Sequence, residues 1–97
     1  MALTSTNPAK IFGLYPRKGT LLPGADADLV IWDPDKRVKY GVSYAQHRTD
    51  YNLYEGWELV GFPEKVFLRG RLIVDEETWL GKAGMGQYLF RQEGQVI

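Results

Sequence analysis

The residues best suited to chemistry are acidic, and they surround one apolar run. Pro23-Gly24-Ala25-Asp26-Ala27-Asp28-Leu29-Val30-Ile31-Trp32-Asp33-Pro34 sets two carboxylates before Leu29–Trp32 and a third after it. Asp26 and Asp28 are two residues apart, so an extended backbone sends both to one face. A carboxylate pair can serve as general acid and base when its surroundings split the two pKa values. The competing reading places them at a strand end, where aspartate accepts hydrogen bonds from turn amides. Nothing adjacent in sequence completes a catalytic set, so the strand-end reading is preferred.

The other chemical candidates are thinner. His47 is the sole histidine. No His-x-His or His-Glu-x-x-His spacing exists to gather a hydrolytic metal. Ser43, His47 and Asp50 contain the residue types of a triad, but closeness in sequence argues for nothing, because triads are defined by geometry. No Gly-x-Ser-x-Gly elbow is present. Gly81-Lys82-Ala83-Gly84-Met85-Gly86 has the look of a phosphate loop, yet it lacks the Gly-Lys-Ser/Thr ending and a helix to aim its amides. It reads as an exit loop. Tyr51, Tyr54 and Trp57 form an aromatic group suited to stacking a base or a sugar. Aromatic groups of this kind also anchor cores and protein interfaces, which is the preferred reading.

Composition narrows the classes. The chain has 97 residues, which is one small domain. Hydrophobic residues make up 44% and charged residues 25%, ordinary values for a globular domain. Aromatic content of 13% argues against disorder. Twelve basic and twelve acidic side chains cancel, so no field attracts a phosphate backbone and nucleic acid is not expected as a partner. No run of about 20 apolar residues is present to span a membrane. The N-terminus lacks the pattern of a secretory signal, and the absence of cysteine fits a reducing compartment, the cytoplasm.

The elements expected to position these residues are short. Residues 1–15 predict a short helical segment, with Asn7 as N-cap, Pro8 in the first position and Gly13 at the end. Ile11, Phe12 and Tyr15 give it one apolar side. Strands are expected over 26–80. Leu29–Trp32 reads as a strand buried on both faces and closed by Pro34, and Arg37–Tyr44 as a second, half-exposed strand. A long connection over 45–58 hints at a contact role. Residues 64–68 and 72–75 flank Arg69-Gly70-Arg71 as a hairpin, and Glu76-Glu77-Thr78 makes another turn. Residues 81–97 are expected to form a C-terminal arm carrying Tyr88 and Phe90. The fold class expected is mainly β, a small antiparallel sandwich or meander with one short N-terminal helix.

Several stretches resemble a known family in chain order. Residues 5–20, SerThrAsnProAlaLysIlePheGlyLeuTyrProArgLysGlyThr, resemble the last barrel helix and exit of cyclic amidohydrolases of the D-hydantoinase/dihydropyrimidinase group. The stretches over 23–33, 50–57, 66–71 and 81–86 resemble the segments that follow it. The resemblance implies the C-terminal half of a composite β-domain attached to a (β/α)₈ barrel. It also implies that Asp26 and Asp28 flank a strand, away from the active centre. That centre holds two divalent metal ions, usually zinc, on barrel residues with no counterpart here, so no catalytic, metal-binding or substrate-binding residue is assigned.

Three readings of function follow. The leading one is a non-catalytic β-domain fragment with a structural and subunit-contact role, from a parent family that hydrolyses cyclic amide C–N bonds. Its expected partners are copies of itself or a separate barrel chain, met through exposed strand edges or an exchanged arm. Tyr51, Tyr54, Trp57, Tyr88 and Phe90 are its candidate interface residues. The alternative is a stand-alone binding module using Tyr51, Tyr54 and Trp57. An independent hydrolase ranks last, because one histidine and no cysteine leave few ligands.

Overall fold

The structure, a computed structural model, describes residues 1–45 and 47–97; Gln46, within the connection expected over 45–58, lies outside them. The chain opens with a π-helical turn, Ala2–Thr6, running directly into α1, Asn7–Ile11. Asn7 is therefore not an N-cap. Its φ of −66° and ψ of −45° are helical, because the residues before it already are. Pro8 stands in the first turn of α1, and Gly13 ends the helix at φ +72°. A helix this short needs support. Ala9, 6% exposed, faces the backbone of Gly19, where any Cβ would stand 2.6 Å from the Ala9 methyl. Thr6 Oγ1 donates to the Gly19 carbonyl at 2.7 Å.

The rest is a mainly β meander. Strands β1 (Leu29–Lys39), β2 (Glu58–Leu68), β3 (Arg71–Asp75) and β4 (Thr78–Trp79) form one four-stranded antiparallel sheet in chain order. β1 corrects two expectations. It does not stop at Trp32 but runs through Pro34 to Lys39, absorbing the start of the strand expected over 37–44. Pro34 is tolerated because β1 is an edge strand and its register with β2 slips between Asp33 and Arg37. Gly61 faces that irregularity at φ +88°, with the Pro34 carbonyl 3.5 Å from where its Cβ would be. Nor is the Leu29–Trp32 run buried on both faces: Val30, Ile31 and Trp32 are 46%, 43% and 60% exposed, since no second layer covers them among the described residues.

The β2–β3 hairpin closes through Arg69 and Gly70, with φ of +47° and +81°. Positive φ at both central residues gives the twist that matches the flanking strands. β2 begins at Glu58, earlier than the sequence suggested. Its ladder with β1 is extended by Tyr40 N–H to the Trp57 carbonyl and Gly56 N–H to the Tyr40 carbonyl, both 2.8 Å. Glu55 accepts the Val42 amide at 2.7 Å and fills the space a side chain at residue 41 would need. The 81–97 segment carries no helix or strand, yet its end is not loose. Gln92 N–H donates to the Gly13 carbonyl at 2.8 Å and Gln95 N–H to the Lys10 carbonyl at 2.9 Å.

Candidate functional site

The acids that open the sequence argument precede β1 and meet partners from two other parts of the chain. Gly19 and its neighbours bring Arg17 and Lys18 back alongside, with Asp26 N–H on the Arg17 carbonyl at 2.9 Å. The Asp26 carboxylate receives Lys18 Nζ at 2.9 Å and Arg17 Nε at 3.1 Å. Asp28 pairs with the same Lys18 through one oxygen and accepts the Arg69 amide through the other at 2.8 Å. The Lys18 bond, then Arg17, holds the Asp26 carboxyl below the usual aspartate range against partial desolvation. Desolvation works against the Lys18 ammonium, but the two carboxylates outweigh it and raise its pKa. Both carboxylates are thus occupied by partners within the chain. Together they tie the helix exit, the start of β1 and the β2–β3 turn.

A second charged group lies at the β3–β4 turn. Tyr44 Oη donates to Glu77 Oε1 at 3.1 Å, and Lys36 Nζ stands 3.4 Å from the same oxygen. Desolvation and then the Glu77 bond raise the Tyr44 pKa. Nothing in the sequence pointed to this group, because its members are scattered over more than thirty positions and meet only through the fold.

The candidate interface residues are all at the surface. Tyr51, Tyr54 and Trp57 are 67%, 50% and 57% exposed. Tyr54 packs edge-on to Trp57 at 5.1 Å, so the two rings do not make a flat platform. Tyr88 and Phe90 pack edge-on to each other and are more exposed still. His47 Nδ1 shares a hydrogen bond with Thr49 Oγ1 at 2.8 Å, a contact within its own loop. The 81–86 loop turns on itself, with Lys82 N–H on Met85 Sδ at 3.1 Å, and the Arg69 guanidinium donates to the Met85 carbonyl.

Among the described residues no three His, Cys, Asp or Glu side chains converge to hold an ion. The described residues do not fit a two-metal centre. Among the described residues, no helix is long and apolar enough to cross a membrane.

Comparison with known proteins agrees with this picture. Residues 1–73 match the amidohydrolase family. The chain is 44% identical over 91 residues to a D-hydantoinase of Rhizobium radiobacter, covering 94% of this chain and 20% of that protein. A solved D-hydantoinase from Bacillus sp. AR9 superposes with a TM-score of 0.89 at 41% identity, over 95% of this chain and 20% of its own. A dihydropyrimidinase from Brevibacillus agri gives a TM-score of 0.91 at 37% identity, over 97% and 20%. The chain therefore spans about a fifth of the length of the relatives it matches. A mainly β fold of this register, acids spent on fastening a strand, and a family match across three-quarters of the sequence agree: the chain belongs to the amidohydrolase family and corresponds to one segment of its hydantoinase-like members.

Proposed function

We propose that this chain is a non-catalytic β-domain segment of a hydantoinase-like hydrolase, serving structure and subunit contact. The observation that carries the reading is surface area. The chain exposes 7827 Å². A compact monomer of its mass exposes about 5,700 Å². The excess, about 2,100 Å², exceeds what one partner contributes to a standard protein interface, about 800 Å². Exposed Val30, Trp32, Val60 and Trp79 supply the apolar part of it. The whole hydrolase, on this reading, opens a cyclic amide by hydrolysis of a C–N bond, using a barrel that this segment flanks. Here Asp26, Asp28 and Lys18 keep the helix exit fastened to the sheet, so that barrel and β-domain hold a fixed orientation.

Mixing tests it. A D-hydantoinase chain lacking the region matched here, combined with this chain, is expected to regain hydantoin hydrolysis and to co-elute with it. Absence of any binding overturns the docking role. Turnover of hydantoin or dihydrouracil by the purified, metal-supplemented chain alone overturns the non-catalytic one.

A further inference from the structure

The sheet and the 40–45 turn line a cleft beside the Tyr44–Glu77 hydrogen bond and the Lys36–Glu77 pair described above. Its volume is about 340 Å³, and Tyr40, Tyr44, Phe62, Val74 and Trp79 form its walls, with Glu76 and Glu77 at its rim. The Tyr44 ring stands edge-on to Phe62 at 5.1 Å and tilted to Tyr40 at 6.3 Å, which fixes the aromatic walls. Trp79 is 55% exposed and closes one side. The rim is fixed as well: Glu76 holds a positive φ of +56° and its N–H donates to the Glu64 carbonyl at 2.7 Å. Beyond the rim, Asp33, Glu64, Glu76 and Glu77 line an adjoining hollow with Lys36 as the one cation among them. Aromatic walls beside an excess of carboxylate attract a cation with a flat, weakly hydrated face.

We propose that this cleft receives an arginine side chain from a partner polypeptide, its guanidinium stacked on the aromatic walls and paired with Glu77 through Oε2, Oε1 being taken by Tyr44 and Lys36. Arginine suits it better than lysine, because a planar fork satisfies ring face and carboxylate at once. The inference deepens the docking role and rests on it for the partner. Its test needs no barrel chain, so its failure leaves the mixing experiment intact.

N-acetyl-arginine methylamide is titrated into the isotope-labelled 97-residue chain, with the neutral citrulline and the lysine analogues as controls. The arginine probe is expected to shift the Trp79 indole and Tyr44 amide resonances saturably. The citrulline probe is expected to bind about tenfold more weakly, and Glu77→Gln to weaken the arginine probe to a similar degree. Equal binding of arginine and citrulline probes, shifts that never saturate, or unaltered affinity in Glu77→Gln overturns the proposal. Equal binding of the lysine probe overturns the guanidinium assignment. A spectrum without dispersed resonances also overturns it, because the cleft is then not preformed.

Discussion

Asp28 is the residue at which three separated stretches of backbone meet. One oxygen faces Lys18 and the other takes the Arg69 amide at 2.8 Å. Asp28→Ala leaves that amide without its acceptor and should lower stability by about 1–3 kcal/mol, read as the urea midpoint. Asp28→Asn retains an acceptor, so a full loss there as well would show the charge to be the larger contribution. Asp26 differs, since its partners are side chains, with Lys18 the stronger and Arg17 next. Its folded pKa is lowered, so its contribution is present above the ordinary aspartate value and lost as pH falls through the folded one. The raised Lys18 pKa works in the opposite direction: its share is present below the ordinary lysine value and lost as pH climbs past the folded one. The urea midpoint should therefore fall on acidification below about pH 4, and Asp26→Ala should remove part of that fall. An acid profile identical in both proteins would deny the ion pairs a role. The sequence showed that Asp26 and Asp28 stand at a strand entry, because aspartate beside glycine and an apolar run suits a turn, but Asp33, expected to close the strand, lies within β1. It did not show Lys18, whose place depends on how the chain between residues 18 and 26 turns.

At the scale of elements, the hairpin was legible and the first strand was not. Alternating residues around Arg69-Gly70 leave one reading, and the backbone takes it. Gly70 has nothing within 4 Å of a would-be Cβ, so Gly70→Ala tests backbone strain alone and should cost about 1–2 kcal/mol in a denaturation experiment. β1 misled because proline usually ends a strand, while here it sits on an open edge at a register slip where no ladder amide is missed. The helix start misled in the other direction, since a good capping residue says nothing when the preceding turn is itself helical. The C-terminal segment was expected as an arm, and nothing in its glycines and charges announced its return to α1. Two close approaches fasten it there. A Cβ on Gly13 would stand 1.9 Å from the Gln92 carbonyl oxygen, and one on Gly94 would stand 2.2 Å from that of Ile11. Gly13 also holds a positive φ, so Gly13→Ala combines strain with a clash against backbone. It should release the tail, seen as faster hydrogen exchange at the Gln92 and Gln95 amides. Unchanged exchange there would mean the tail is held by something other than this seat.

At the scale of the whole molecule, the chain holds more sheet than it can cover. Only Ala9 and Val38 are buried apolar side chains among the described residues. The radius of gyration is 15.7 Å. A compact domain of this length would measure about 12.5 Å. An apolar strand edge and an uncovered face in one small body favour any partner that completes them, and the nearest is another copy. We infer that, without a barrel chain, copies pair through β1 or through an exchanged 81–97 segment. Binding that favours the folded state makes stability depend on concentration. The melting temperature of the isolated chain should accordingly rise between low and high micromolar concentration, with sedimentation reporting dimers or larger species. Gly13→Ala then separates the two routes. Freeing the tail should promote exchange if the arm is the contact, and leave the association constant unaltered if β1 is. A chain that sediments as a monomer throughout, with a melting temperature indifferent to concentration, would mean that this open sheet tolerates water without help, and the docking role would lose its physical basis.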